Sequence, residues 1–254
     1  GRLPELFYKL IENIIDDCKI LSNKPQLIII NNANELPKIK KNYYKKFSEI
    51  RVIKGNNLDC RTKETRQYLS TILADAYNTI LENATGEIIH FREDDMITEV
   101  GAFEKLLEYL TNPENNATAT AALYLSRHQK RIVGGYYHDD IKLITEKEIQ
   151  NKPMQVDFTG TGCILFWKDL APKSVTAKTD FGELSQDWSF SLAIKKLGGK
   201  IFVLPDATCR HYKTAETYIV PEANNTDIIV PAYTHTKLTD KKYPQILIKK
   251  ALNT

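Results

Sequence analysis

The chain has 254 residues, a length that fits one large domain or two small ones, and 42% of them are hydrophobic, enough for a sizeable core. The formal net charge of +3 is too small to indicate attraction to nucleic acid or to a membrane surface. No apolar run reaches the roughly 20 residues of a membrane span, and no signal peptide is evident. Four scattered cysteines favour reduced thiols over a disulfide framework or a zinc site, so we expect a cytoplasmic protein.

The first half of the chain alternates between predicted helices and strands. Apolar residues at helical spacing predict helices, whereas short continuous apolar runs predict buried strands. The predicted elements are a helix over 4–19, strands over 26–31 and 50–54, a helix over 64–83, a strand over 87–92 and a helix over 99–110. This alternation predicts an α/β fold with a mostly parallel central sheet flanked by helices.

After Pro113 the regular alternation is lost. The predicted elements are a strand over 117–126, a loop or hairpin over 131–150, a helix over 187–197 and a strand over 201–204. The segment over 156–167 contains Thr159-Gly160-Thr161-Gly162 followed by an apolar run. Gly198-Gly199 is expected to end the last helix, because glycine readily takes the conformation of a helix C-terminus. A polar tail follows Lys213.

Three consecutive acids, Glu93, Asp94 and Asp95, follow the strand over 87–92 directly. Carboxylates gathered at the end of a buried strand repel one another, and a cation relieves that repulsion. Ligands of α/β sheets bind beyond the carboxyl ends of the strands. The cluster therefore predicts a divalent cation that bridges to the phosphates of a nucleotide. The alternative is a solvated acidic turn.

Several motifs occur in a definite order around this cluster. Residues 76–87 read Ala-Tyr-Asn-Thr-Ile-Leu-Glu-Asn-Ala-Thr-Gly-Glu, and the downstream motifs are Gly160-Thr161-Gly162-Cys163, Gln186-Asp187-Trp188 and His211. The ordered set resembles the family 2 glycosyltransferases with the GT-A fold, which often carry A-R-N-x-G-x-x-x-A-x-G-E followed by a D-x-D-like motif. Tyr77 and Ile80 depart from the first pattern, and Glu93 replaces the first Asp of the second.

The resemblance implies a single GT-A domain over 1–213, in which 1–112 is the nucleotide-binding half and 113–213 the acceptor-side half. Residues 214–254 would then form a C-terminal extension. The family begins with a strand whose end contacts the nucleotide base, whereas this chain begins with what looks like the loop and helix after that strand. We therefore expect the first strand to be missing from the chain.

The activity implied by the resemblance is metal-dependent transfer of a sugar from a UDP- or GDP-sugar to an acceptor hydroxyl, with inversion. The acceptor is left open among glycan, lipid, protein and nucleic acid. Asp187 would be the catalytic base, although an Asp at a helix start is often only a cap or a first-turn acid. Asp95 would bind the metal, Glu93 would contact the ribose or the metal, and Asp94 would hold the donor sugar.

The remaining expected contacts involve one histidine and three asparagines. His211 matches a histidine that supplies a metal ligand in some members, a choice that suits Mn²⁺ better than Mg²⁺. Its alternative is a lone surface histidine. Asn31, Asn57 and Asn78 would lie near the nucleotide base, and for Asn31 the alternative is an Asn-rich turn.

Two other functions remain open. A sugar nucleotidyltransferase shares the α/β layout, but its Gly-rich loop with the following Arg and Lys is not evident in the sequence. A non-catalytic carbohydrate- or protein-binding module on a decayed GT-A fold is favoured by the departures at Tyr77 and Glu93 and by Asn31, which stands where the family often has a base-binding Asp.

Overall fold

The computed structural model describes residues 4–33, 35, 38–56, 68–126, 132–137, 141–145, 148–149, 152–178, 185–213, 217–224 and 227–229. The helices are α1 (Pro4–Asp17), α2 (Leu69–Asn83), α3 (Ala102–Thr111) and α4 (Gln186–Lys196). The strands are β1 (Gln26–Asn31), β2 (Glu49–Lys54), β3 (Ile88–Arg92), β4 (Met96–Thr98), β5 (Ala119–Leu123), β6 (Gly134–Tyr137), β7 (Ile141–Leu143), β8 (Met154–Val156), β9 (Phe158–Thr159), β10 (Cys163–Trp167), β11 (Ile201–Tyr212), β12 (Tyr218–Ile219), β13 (Glu222–Asn224) and β14 (Asp227–Ile229).

The local predictions are largely confirmed. All four described helices overlap predicted helices, and β1, β2, β3 and β5 coincide with predicted strands within a few residues. The segment over 131–150 contains the antiparallel hairpin of β6 and β7. Gly198 follows α4 with φ of +82°, the left-handed conformation that glycine adopts without a steric penalty.

The main sheet has the strand order β12-β11-β5-β10-β3, and β4 and β8 also pair with β11. The prediction of a mostly parallel central sheet is wrong, because β10 runs antiparallel to both of its neighbours, β3 and β5. Among the described strands of this sheet, only β5 and β11 pair in parallel. Apolar periodicity identifies a strand but carries no information on its direction, and the alternation that indicated parallel pairing stops before β5.

Strand β11 is much longer than the predicted strand over 201–204. Pro205 offers no backbone N–H to a sheet, so the sequence indicates an end at this point. Instead the strand continues through a register shift between Leu204 and Thr208. Its first part pairs with β5 and β8, and its second part pairs with β4 and β12. The continuation carries His211 to the end of β3.

Alternate residues of the central strands pack into two apolar layers. In β10, Ile164 and Phe166 belong to the layer that contains residues of α2 and α4. Cys163 and Leu165 belong to the layer that contains residues of α3. Because side chains alternate between the faces of a strand, the main sheet lies between these helices. None of the described helices combines the length and the apolar character needed to span a bilayer.

Candidate cation and base site

The acid cluster occupies the tight turn between β3 and β4. The Glu93 N–H donates to the Gly162 carbonyl at 3.0 Å, and the Met96 N–H donates back to the Glu93 carbonyl at 3.1 Å. This turn leaves Asp94 exposed, Glu93 half-buried and Asp95 only 1% exposed. Burial of an acid costs free energy unless an opposite charge or hydrogen bonds compensate it, so Asp95 marks this turn as more than a solvated loop.

His211 is brought to the acids by the second part of β11. It lies opposite Met96 in the antiparallel pair of β11 and β4, and the Tyr212 N–H donates to the Asp95 carbonyl at 2.8 Å. The His211 Nε2 atom lies 3.4 Å from Asp95 Oδ2. One ligand-capable atom from each of Glu93, Asp95 and His211 lies within 4.8 Å of the other two.

The tautomer of His211 suits a metal ligand. Its Nδ1 atom lies 2.6 Å from the Leu125 carbonyl oxygen, which can only accept, so Nδ1 carries the hydrogen. In the neutral ring Nε2 then carries the lone pair, and this buried atom, 3.4 Å from Asp95 Oδ2, makes no hydrogen bond among the described residues. A backbone carbonyl that orients a histidine in this way is typical of metal sites. Two carboxylates and one imidazole are groups that could hold a divalent metal ion.

Two hydroxyl groups join the acid cluster to Asp187. The Tyr77 hydroxyl lies 3.2 Å from Glu93 Oε1 and donates to it. The Thr161 hydroxyl lies 2.7 Å from the Tyr77 oxygen and also contacts Asp187 Oδ1 closely. A continuous line of oxygen atoms therefore runs from Glu93 through Tyr77 and Thr161 to Asp187.

Tyr77 is held rigidly within this line. It is 5% exposed, and its ring stacks on Phe91 with 4.6 Å between the ring centroids. Burial, together with the nearby Glu93 and Asp187 carboxylates, raises the pKa of Tyr77 well above its usual value. The hydroxyl therefore keeps its proton and remains a hydrogen-bond donor at every pH near neutrality.

Asp187 lies in the first turn of α4 but does not cap it. Ser185 is the cap, because its side chain accepts a hydrogen bond from the Trp188 N–H at 3.3 Å. The Asp187 carboxylate instead contacts Thr161, and Gln186 Nε2 donates to its Oδ1 at 2.9 Å. Burial raises the pKa of Asp187, although hydrogen bonds from Thr161 and Gln186 offset part of this rise. A carboxylate with a raised pKa is a better proton acceptor near neutral pH.

The small residues around Thr161 let the chain pass close to Tyr124. The Gly162 N–H donates to the Tyr124 hydroxyl oxygen at 3.2 Å. A β-carbon at Gly160 would collide with that hydroxyl group and with Val133. The segment Gly160-Thr161-Gly162, predicted as an acceptor-side loop, thus packs beside the acid turn and directs Thr161 to both Tyr77 and Asp187.

Asn31 and Asn78, two of the three asparagines predicted to contact the nucleotide base, already bond to backbone groups. Asn31 Oδ1 accepts from the Ala33 N–H at 3.0 Å, which is an Asx turn. Both polar atoms of the Asn78 amide bond to the Val175 backbone, at 2.9 and 2.6 Å. Base binding by Asn31 or Asn78 stays a prediction, and at Asn78 it would compete with these bonds. Asn57 lies outside the described residues.

The sequence alone does not identify three residues that contribute to the site. In the sequence, Tyr77 is only a departure from the expected Arg, and Thr161 is only part of a small-residue loop. Nothing in the sequence singles out Tyr124. Their partners lie far away in the chain, since 84 residues separate Tyr77 from Thr161. The sequence signal at Thr161 is a polar residue that lies between two glycines and next to an apolar strand.

Comparisons with known proteins add little to this geometry. No family model matches the chain, and no curated protein matches it. Among solved structures, the chain is similar to one described as "Crystal Structure of A197 from STIV". The TM-score is 0.45 and the identity 14%, and the match covers 78% of this chain and 91% of that chain. A likeness of this size carries no argument about either fold family or function.

Proposed function

We propose that this protein is a metal-dependent glycosyltransferase of GT-A fold, which moves a sugar from a UDP- or GDP-sugar to an acceptor hydroxyl with inversion. One observation carries the proposal. Glu93, Asp95 and His211 present ligand atoms within 4.8 Å of one another, and a line of hydroxyl groups links this cluster to the partly buried Asp187. The order of the sequence motifs supports the same reading.

The reaction requires a base on the acceptor side. As the acceptor oxygen forms a bond to the anomeric carbon, the bond from that carbon to the diphosphate oxygen breaks, and the hydroxyl proton must leave. Asp187 accepts that proton, because its raised pKa matches the task and Thr161 and Gln186 fix its orientation. Attack from the face opposite the leaving group gives inversion.

The acid cluster serves the leaving group. Glu93, Asp95 and His211 would hold Mn²⁺ or Mg²⁺, and the nitrogen ligand favours Mn²⁺. When bound, the cation neutralises the charge that develops on the diphosphate, which is worth several kcal/mol. Asp94 is exposed beside this cluster, a position from which it would reach the hydroxyl groups of the donor sugar.

Calorimetry with UDP, GDP and their sugars, with and without Mn²⁺, tests the donor site. We expect Mn²⁺-dependent binding of one nucleotide, lost in Asp95→Asn. Release of the free nucleotide diphosphate from the sugar donor then reports turnover, and it should fall about 100-fold or more in Asp187→Asn, the usual range for loss of a general base. Proton NMR of the product shows whether the anomeric configuration is inverted.

The other two functions predict different results. A sugar nucleotidyltransferase would release pyrophosphate from a nucleoside triphosphate. A non-catalytic module would bind a sugar or a sugar nucleotide without turnover, and its binding would be indifferent to Asp187→Asn. Absence of Mn²⁺-dependent nucleotide binding by the wild-type protein would refute the transferase proposal.

A further inference from the structure

We propose that Tyr77 and Thr161 are positioning residues whose hydroxyl groups couple occupancy of the cation site to the hydrogen bonding of Asp187. This inference rests on the proposed function, because it takes Glu93 as a cation ligand and Asp187 as the base. It adds a physical link between Glu93 and Asp187, which are 94 residues apart in the sequence. The link is made only of two hydroxyl groups.

The line of hydroxyl groups contains fewer protons than oxygen–oxygen contacts. Each hydroxyl group carries one proton and donates one hydrogen bond at a time. Tyr77 contacts two oxygen acceptors, Glu93 Oε1 at 3.2 Å and Thr161 Oγ1 at 2.7 Å. Thr161 likewise contacts two, the Tyr77 oxygen and Asp187 Oδ1. Three oxygen–oxygen contacts therefore compete for two hydroxyl protons, and the two carboxylates attract them in opposite directions.

A cation at Glu93 changes the outcome of this competition. Hydrogen bonds to ionised acceptors are roughly twice as strong as bonds to neutral ones. When the charge of Glu93 is taken up by a cation, Tyr77 gains more by donating to Thr161, and Thr161 then donates to Asp187. The hydroxyl groups thus turn towards the base when the cation is present, and they turn towards Glu93 when it is absent.

Linkage makes the effect reciprocal. A strong acceptor at position 187 draws the hydroxyl protons away from Glu93 and so assists cation binding. An Asn at this position accepts more weakly or donates to Thr161, and either change returns the Tyr77 proton to Glu93. Asp187→Asn should therefore weaken Mn²⁺ binding, although Asp187 itself touches no cation ligand among the described contacts.

A double-mutant cycle on the affinity for Mn²⁺ alone, measured on the full chain at neutral pH by paramagnetic resonance, tests the coupling. Asp187→Asn also removes a negative charge, which weakens binding through space equally in any background, and the cycle cancels this effect. We expect Asp187→Asn to raise the Mn²⁺ dissociation constant about five-fold when Tyr77 is present and less than two-fold in Tyr77→Phe. Tyr77→Phe alone should bind Mn²⁺ at least as tightly as the wild type.

A matched pair at position 161 gives an independent measurement if Tyr77→Phe does not fold. Thr161→Ser keeps the hydroxyl group and should keep the coupling, whereas Thr161→Val keeps the shape, lacks the hydroxyl group and should abolish it. Equal effects of Asp187→Asn in all backgrounds would overturn the coupling while leaving the cation site intact. Failure of the wild-type protein to bind Mn²⁺ would instead overturn the proposed function.

Discussion

Arg92 and Glu93 are neighbours in sequence, yet they serve two different charged clusters. The Arg92 side chain is 3% exposed and pairs with Asp17 at 2.7 Å, and a second guanidinium nitrogen donates to Asn13 at 2.7 Å. This cluster, named here the internal ion pair, ties α1 to the end of β3. Glu93 instead joins Asp95 and His211 in the cation cluster.

The two clusters differ in the chemical groups that they bring together. In the internal ion pair, the chain itself supplies the carboxylate and the amide that a buried guanidinium requires. In the cation cluster, two acids face a histidine whose Nε2 atom has no hydrogen bond within the described part of the chain. The first arrangement is suited to holding elements together, and the second is suited to receiving a positively charged ligand.

The largest effect is expected at the internal ion pair. Asp17→Asn leaves the Arg92 guanidinium buried without its anionic partner, which typically costs about 3–5 kcal/mol. Urea unfolding should show this loss as a lower midpoint with an unchanged slope. Mn²⁺ affinity, measured below the unfolding transition, should stay near the wild-type value, because Asp17 is not part of the cation cluster.

A neighbouring acid provides the control for this change. Asp16 pairs with Lys19 at the surface, where both side chains are about two-thirds exposed (66% and 69%). Exposed pairs contribute about 0–1 kcal/mol, so Asp16→Asn should leave the midpoint almost unchanged. A comparable loss of stability in Asp17→Asn and Asp16→Asn would show that the buried ion pair stabilises the fold no more than an exposed one.

The second prediction concerns the cation cluster. Asp95→Asn should weaken Mn²⁺ binding about 100-fold or more, since even residues that only support metal ligands contribute 10–100-fold. Asp94→Asn is the matched control, because Asp94 is adjacent in sequence but exposed, and it should change the affinity for Mn²⁺ alone by less than about three-fold. Both measurements use the metal without nucleotide. A similar loss in both variants would mean that Mn²⁺ binds only to a diffuse acidic surface.

Features that are contiguous in the sequence could be predicted from it, whereas features that join distant residues could not. The strand β3 and the three acids after it are contiguous, so apolar patterning and charge identify them locally. His211 was singled out only through the resemblance, because the sequence indicates a strand end at Pro205, six residues before it. The internal ion pair went unnoticed, since Asp17 and Arg92 are 75 residues apart and no periodicity links them.

The line of hydroxyl groups could not be predicted for a related reason. Tyr77 stands on a helix, and Thr161 precedes a strand whose direction the sequence does not encode. The prediction of parallel strands was wrong for β10, and that strand positions Thr161 beside Tyr77. Local sequence patterns therefore predict the helices, the strands and the acid cluster, whereas strand direction and long-range polar contacts are visible only in the structure.

The third prediction concerns the glycine that permits this arrangement. Gly160→Ala brings a β-carbon against Tyr124 and Val133, and overpacking of this kind costs about 1–3 kcal/mol. The displaced Thr161 should also lose its effect on Asp187, so turnover falls further than stability alone explains. Gly86→Ala is the control, because its β-carbon would lie at an ordinary contact distance of 3.4 Å from the Ile88 carbonyl oxygen.

The smallest effect is a gain in stability when the charge of Asp187 is removed. Burial raises the pKa of Asp187 above its usual 3.8, so the folded protein favours the neutral carboxyl group. The stability given by this group is fully present below its unfolded pKa and is lost as pH rises through the folded pKa. Asp187→Asn removes the charge and should raise the melting temperature at neutral pH by about 2–4 °C, the shift expected for about 1 kcal/mol at this chain length.

The pH dependence separates this gain from a general packing effect. The difference between Asp187→Asn and the wild type should shrink as pH falls and vanish well below 3.8, where Asp187 is neutral in both the folded and the unfolded chain. Glu148 provides a control of opposite sign, since Lys142 and Thr145 lower the pKa of Glu148 to about 2. Glu148→Gln should therefore be less stable than the wild type at neutral pH, and this difference should disappear in acid, because the wild type loses the contribution as pH falls through about 2. A gain in stability in Asp187→Asn that persists unchanged at low pH would show that ionisation of Asp187 does not destabilise the folded protein.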